Sequence, residues 1–357
     1  MHAHPPPIVR EVESEDRLSQ AITARAALRR VTLLDTAAAS TNLGDHIIME
    51  AVREETDELF ADCATFTVAT HEWMGAQSHR LIRMSDWTIA GGTSLLSSRM
   101  WFRANWKVKP SDALRRLDVV LLGAGWYQYQ REPDPLSRWM LRRLLSRRWL
   151  HSVRDSYALR KLQAVGLDNV VNTGCPSLWR LNASHCARIP RHKADSVLTA
   201  INSYPKLFDP AADRRLFEAL RRRYRNVYLW IQTHSDYDYA RGLDANLIFV
   251  SPSLRAFDDV LSSGLDLDYV GNRLHAGIRA LQKGRRAIIV EIDNRAREMG
   301  RDFGLPTVAR TDFAKLEQMI EGGADILVRP PFGEIERWKR QFRVPDSPRQ
   351  RTRSRAT

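Results

Sequence analysis

Tyr269-Val270-Gly271-Asn272-Arg273-Leu274-His275-Ala276-Gly277-Ile278-Arg279-Ala280 carries the plan of the fold in one short segment. An apolar run enters a Gly-Asn turn, and a helix-forming stretch follows at once. A strand of unbroken apolar type feeding directly into a helix belongs to a parallel sheet, because crossover helices cover both faces of such sheets.

Working outward, the same strand, small-residue turn and helix recur along the chain. Val31-Thr32-Leu33-Leu34-Asp35 reads as a strand, Thr41-Asn42-Leu43-Gly44-Asp45 as its turn, and residues 46–59 as a helix. Further strands are predicted over 65–68, 87–90 and 118–122. The last two end in Gly91-Gly92-Thr93 and Gly123-Ala124-Gly125. Ser152-Val153-Arg154-Asp155 leads into a helix over 156–165, and a strand follows over 170–174. The polar stretch 188–193 reads as a linker, after which the alternation restarts. Strands are predicted over 196–201, 227–231, 247–250, 268–270 and 287–292, with helices over 213–223, 254–261, 274–282 and 296–303. A run over 306–309 and a helix over 313–321 complete the pattern.

These elements predict an α/β protein of two Rossmann-like domains facing a cleft. The expected divisions are 1–27, a tail and lead-in helix; 28–187, the N-terminal domain; 194–330, the C-terminal domain; and 331–357, a basic disordered tail. Ligands of such open sheets bind at the carboxyl ends of the strands, where several of the glycine turns fall.

Composition agrees. The chain has 357 residues, 43% hydrophobic and 27% charged, the balance of a globular protein, and it is longer than one core usually serves. No run of roughly 18 apolar residues suits a membrane-spanning helix. Met1-His2-Ala3-His4-Pro5-Pro6-Pro7 opens without an apolar segment, so a secretory signal is not expected. Cys63, Cys175 and Cys186 follow neither a disulfide nor a zinc spacing. A cytoplasmic chain is the expectation.

The net charge is +13. Residues 337–357 hold eight Lys and Arg against Asp346 alone. A second basic stretch, 138–150, reads as a helix with Met140, Leu141, Leu144 and Leu145 on one side. Arg138, Arg142, Arg143 and Arg147 take most of the other. Contact with an anionic membrane surface at the inner face is one reading of this stretch and of the tail. An ordinary surface helix with its apolar side packed on its own domain is the other. No zinc-finger spacing, RRM signature or helix-turn-helix accompanies the charge, so nucleic acid is not an expected partner.

There is no GxGxxG fingerprint and no Walker A loop. Asn42, Gly44 and Asp45 mark a strand-to-helix turn that Asp45 is able to cap. At the decisive segment, Arg273 and His275 open a helix whose free backbone N–H groups add to their charge. That is an anion site with an attached proton donor. The same spacing fits a capped helix with Arg273 paired to a carboxylate of its own domain.

Four segments, in order, resemble the polysaccharide pyruvyl transferase family. Thr41 to Asp45 is similar to its Asn-x-Gly-Asp turn, and Ala90-Gly91-Gly92-Thr93-Ser94 to its glycine turn. Val153-Arg154-Asp155-Ser156, with Thr173-Gly174-Cys175-Pro176 after it, resembles its Val-Arg-Asp segment and Gly-Asp-Pro stretch. Gly271 to Ala276, then Ala287-Ile288-Ile289-Val290 and Gly304-Leu305-Pro306, resembles its Arg-Leu-His block and closing pattern. Cys175 stands where many members have Asp.

The resemblance implies a glycosyltransferase-B-like architecture and transfer of the enolpyruvyl group of phosphoenolpyruvate to a sugar of a polysaccharide or lipid-linked precursor. The product is a pyruvate ketal. It implies donor binding by Arg273, Arg154, Asn272 and Leu274, with His275 as the acid or base. Phosphoenolpyruvate is the donor substrate, and the scheme requires no cofactor or metal. Asn42, Gly44, Asp45, Gly91 and Gly92 are candidate substrate contacts, as are Asn202, Tyr204, Gln232 and His234 at strand ends of the second domain. Two other readings stand beside it. One is a nucleotide-sugar glycosyltransferase using Glu291 or Asp293 for the ribose; the other is an adaptor binding anionic polymer through the tail.

Overall fold

The computed structural model describes residues 28–343 apart from 104, 244, 245 and 324. The N-terminal half builds a parallel sheet from β1 (Arg29–Asp35), β2 (Cys63–Ala69), β3 (Trp87–Gly91) and β4 (Val119–Leu122), in the order β2-β1-β3-β4. A parallel pair, β5 (His151–Val153) and β6 (Val170–Asn172), continues it. Isolated parallel bridges Val119↔Leu145 and Ala124↔Val153 make the join. The C-terminal half holds β7 (Ser196–Thr199), β8 (Asn226–Trp230), β9 (Ile248–Val250), β10 (Leu267–Gly271), β11 (Ala287–Glu291) and β12 (Thr307–Ala309). Their order is β12-β11-β10-β7-β8-β9, all parallel.

Both sheets reverse direction of strand addition beside their first strand, at β1/β3 and at β7/β10. Such switch points open a crevice at the carboxyl ends of the strands. The two Rossmann-like domains expected from the sequence are therefore present, in a glycosyltransferase-B-like arrangement.

The helices form where apolar spacing allows one face to be hidden. Leu43–Leu59 buries Ile47, Ile48, Val52 and Thr56 along one stripe and starts from Asn42, whose side chain accepts from Gly44 N. The basic stretch expected over 138–150 is instead a helix over Pro135–Leu144 with Met140, Leu141 and Leu144 buried. It stops there because Leu145 bridges to Val119 and His151 begins β5. Its apolar side packs on its own domain. The helices Ala76–Met84 and His234–Leu243 were not anticipated. Among the described residues, no helix is long and apolar enough to cross a membrane.

One expectation is overturned. Residues from 331 do not begin a disordered tail, since Phe332–Arg340 is a helix. Ile335, Trp338 and Phe342 form an apolar stripe within the charged run and are buried. The helix returns to the N-terminal domain. There Gln341 accepts from Leu150 N (2.7 Å) and donates to Leu150 O (3.0 Å), and Phe342 packs on Phe60, Trp87 and Trp149. The expected lead-in helix within 1–27 and the end of the tail, 344–357, lie outside the described residues.

His151 ties β4 to β5 from inside the core. Leu121 N donates to its Nδ1 (3.2 Å) while Nε2 donates to Ser146 O (2.8 Å). Both bonds together require a neutral ring, and burial pushes its pKa down to about 4. The unfolded chain, near 6.5, therefore takes up a proton first as pH falls. Stability from this site is complete above about pH 6.5 and drains away toward pH 4. Linkage gives a loss of about 2 kcal/mol between pH 7 and pH 5. Urea denaturation at the two pH values should show that loss, and His151→Gln should flatten it; an unchanged profile in the variant would assign the pH dependence elsewhere.

Candidate active site

A cavity of about 510 Å³ lies between the two sheets. Asn42, Asp45 and Ser94 line it from the N-terminal domain, and Tyr204, Lys206 and Arg295 from the C-terminal domain. The N-terminal wall is built from loops after β1 and β3. Asn42 is the helix cap, and Asp45 has a different task from the capping role expected of it. Its carboxylate accepts from Ser40 Oγ (2.7 Å) and Thr93 Oγ1 (3.0 Å), joining the two loops.

Asn42 also receives Gln232 Nε2 across the domain boundary at 2.6 Å, and Leu43 N donates to Gln232 O at 3.2 Å. A Cβ at Gly44 would lie 2.8 Å from that same amide nitrogen, so glycine there lets the domains meet. Gly91 packs on Val52 and Met49, and Gly92, at φ +64°, turns the chain with its N–H on Leu122 O (2.7 Å). Both glycines shape the wall by backbone geometry.

Arg154 follows β5 and is wholly buried. Its Nε donates to Asp155 (3.2 Å) and Nη1 to Ser94 Oγ (3.2 Å), while Nη2 has no partner in the protein. The guanidinium occupies the space where a side chain on Gly125 would stand, with Cζ 2.1 Å from that Cβ position. Gly125 N and O pair with the glycine-turn loop, donating to Thr93 O (2.8 Å) and accepting from Leu96 N (3.1 Å).

His275, on the first turn of helix Leu274–Gln282, is buried with Nε2 3.7 Å from Cys175 Sγ. It does not line the cavity. Burial first, then the charges of Arg295 and Arg154, push its imidazole well below 6.5, against the opposing pull of Asp293. Cys175, raised by burial and accepting from Ser177 Oγ (3.1 Å), is a neutral thiol.

Asp293 caps the helix Asn294–Phe303 and pairs with Arg295 at 2.8 and 2.5 Å. Burial raises the Asp293 carboxyl, but Arg295 and then Arg154 bring it below the usual carboxylate value. Arg295 was not anticipated from the sequence. Its only sequence signal is the Asp-Asn-Arg opening of a helix after a parallel strand.

Arg273 takes the other course left open by its spacing. Nη2 donates to both Asp236 oxygens at 2.6 Å and to Thr233 Oγ1 at 3.1 Å, and Nε donates to Ile201 O at 2.9 Å. Tyr204 covers its face, 5.0 Å from ring centre to Cζ. The side chain is committed within its own domain and holds a wall residue in place. Leu274 is core. His234 is exposed at a helix start. Glu291 is engaged by Thr307 (2.9 Å) and Arg297 (3.1 Å).

Several buried polar atoms around the cavity lack partners: Asn202 Nδ2, Gln232 Oε1, Asn272 Oδ1 and Asn294 Oδ1, besides Arg154 Nη2. Asn294 lines the cavity; Asn202 accepts from the N–H of Tyr204 (2.8 Å) and Gln232 is bonded to Asn42, both cavity residues. Asn272 sits at the β10 turn, its N–H on Ala200 O (3.0 Å) and Nδ2 on Asp213 (3.3 Å). Folded interiors leave few polar atoms unpaired, so these atoms are donors and acceptors open to a polar ligand. Among the described residues, no group of three His, Cys, Asp or Glu side chains is arranged to hold a metal ion.

The Arg273–Asp236 pair yields a direct prediction. Arg273→Ala leaves the buried Asp236 without its cation, at a cost of roughly 3–5 kcal/mol. Urea denaturation should read that loss; a change below about 1 kcal/mol would show that the pair is not structural.

The model of one protein family, described as polysaccharide pyruvyl transferase, matches residues 42–294. No curated protein matches the sequence significantly. Among solved structures, the UDP-GlcNAc 2-epimerase from Methanocaldococcus jannaschii is similar over 88% of this chain and 99% of its own, with 13% identity and a TM-score of 0.50. An Arabidopsis thaliana protein complexed with UDP-L-rhamnose is similar over 83% of this chain and 90% of its own, with 9% identity and a TM-score of 0.42. At 13% identity the likeness to the epimerase concerns the fold alone. The family match, which takes in the walls of the cavity from Asn42 to Asn294, places the chain in the polysaccharide pyruvyl transferase family.

Proposed function

We propose that the chain transfers the enolpyruvyl group of phosphoenolpyruvate to a sugar of a polysaccharide or lipid-linked glycan precursor, closing a pyruvate ketal across two hydroxyls. The observation that carries this reading is the positive charge at the cavity, where Arg295 and Lys206 line the wall and Arg154 is buried behind Ser94. Arg154 holds an unpartnered, buried Nη2 beside Ser94, and Arg295 lines the opposite wall. A donor with both a phosphate and a carboxylate suits two guanidinium groups from different domains. The start of helix Asn294–Phe303 adds its dipole to the same side. A cytoplasmic location accompanies this donor.

His275 enters the reaction as a neutral imidazole. In this scheme the bound acceptor reaches past the cavity wall to His275, which takes the proton of the attacking hydroxyl as the C2–O bond forms. As imidazolium it returns that proton to C3, which receives the electron pair of the C2–C3 double bond. The C2–phosphate bond then breaks, phosphate leaves with its electron pair under the arginine charges, and the second hydroxyl closes the ring with loss of its proton. Arg273 acts at one remove, by holding Tyr204 and the β10 turn.

Thermal denaturation tests donor choice. Phosphoenolpyruvate should raise the midpoint, and Arg295→Gln or Arg154→Lys should reduce that shift. A shift with a nucleotide sugar and none with phosphoenolpyruvate would instead support glycosyl transfer. His275→Gln should keep the donor-induced shift while lowering kcat by at least about 100-fold. Because the imidazole is held well below 6.5, the acid limb of kcat/KM should fall below pH 6.5. A limb at or above that value would remove His275 from the role of base.

A further inference from the structure

A second hollow, about 1030 Å³, opens on the N-terminal domain and shares no wall residue with the first. Its walls carry Arg116, Arg138, Arg142, Arg143, Arg147 and Arg148, with Asp118 as their acid. Several arginines elsewhere in the molecule are held by carboxylates, as Arg53 is by Asp35, Arg279 by Asp258 and Arg286 by Asp268. Among the described residues, Arg116, Arg142, Arg143 and Arg147 have no such partner. Arginines in such excess over one carboxylate around a single hollow repel one another, and an anion among them relieves that repulsion.

Apolar side chains stand beside this charge. The helices Met100–Arg103 and Pro110–Leu114 pack on Pro135–Leu144. Met100 N donates to Ser137 Oγ (2.8 Å) and Trp101 Nε1 to Asp134 Oδ2 (3.1 Å). This trio leaves Trp101 46%, Phe102 59%, Leu114 68% and Leu136 40% exposed. These side chains do not line the hollow themselves, but Leu136 lies on the helix that supplies Arg138, Arg142 and Arg143, and the helices of Trp101 and Leu114 pack on that helix. Exposed apolar clusters mark contact surfaces rather than ordinary solvent-facing ones.

We infer that this face docks on an anionic phospholipid bilayer. The arginines receive lipid phosphates, and Trp101, Leu114 and Leu136 enter the boundary between headgroups and acyl chains. Nucleic acid would use the arginines but gives exposed leucines nothing to bury into. The contact differs from that of a helix lying with its apolar stripe in the membrane, since Met140, Leu141 and Leu144 are turned into the core. It does not depend on which reaction the cavity supports.

The test is co-sedimentation of the full chain with phosphatidylcholine vesicles, with and without phosphatidylglycerol. Binding should be strong only with phosphatidylglycerol. Arg142→Gln with Arg143→Gln should lower the partition coefficient about 30-fold, since each basic side chain at the surface contributes about five-fold. Leu114→Ser with Leu136→Ser should lower binding while leaving its salt dependence intact. Unchanged thermal midpoints establish that both variants are folded. Equal binding to neutral and anionic vesicles would overturn the inference. So would indifference to both pairs of substitutions, or loss in the arginine pair alone with single-stranded DNA displacing the vesicles.

Discussion

Burying a guanidinium is costly unless its N–H groups find acceptors, and Arg154 is buried with one of its nitrogens unserved. The site depends on how this is arranged. Gly125 has no side chain, so the planar group lies against the backbone after β4, and β5 beside β4 brings Arg154 to that point. Ser94, from the loop after β3, takes a second nitrogen. Three strand ends thus meet at one site: β5 leads into the cation, and the loops after β3 and β4 each bring a small residue to it. The remaining N–H is a donor fixed in space before any ligand arrives, which is the form of preorganisation that favours charge developing in a transition state.

That charge governs its neighbours. Burial first, and then Arg295 and Arg154, push His275 down, while the same two arginines hold Asp293 ionised against its burial. The imidazole faces Cys175, where many family members have Asp, and a buried thiol lends it no negative charge. A carboxylate in that place would raise the histidine; a thiol leaves it low. The low pKa of His275 therefore rests on its burial, reinforced by the two arginines. The Arg-Leu-His block divides its labour accordingly. Arg273 is held by Asp236 and stabilises the turn, Leu274 is core, and His275 is buried against Cys175 within the field of Arg295 and Arg154.

Much of the fold is legible in the sequence because parallel strands hidden on both faces are mostly apolar: β4 is wholly so, and β1, β3, β10 and β11 carry apolar runs broken only by Thr32, Thr88 or Asp268 or flanked by charge at their ends. The helices that escape notice are those whose buried stripe is thin. His234–Leu243 buries only Asp236 and Ala240, and Phe332–Arg340 hides Ile335 and Trp338 within a basic run. The site is less legible because its contacts are between chain-distant residues. Spacing shows that Arg273 fits a carboxylate of its own domain but cannot select Asp236. Gly125 and Arg154 each look ordinary until β4 and β5 are adjacent. Arg295 follows an Asp that reads as a helix cap or a ribose ligand, and only the packing of the two domains turns it to the cavity.

The most direct measurement is a crystal structure of the chain with phosphoenolpyruvate. The account predicts the donor between the two domains, with an anionic oxygen within hydrogen-bonding distance of Arg154 Nη2 and its other anionic group at Arg295. A donor bound elsewhere, with Arg154 Nη2 still lacking a partner, would contradict it.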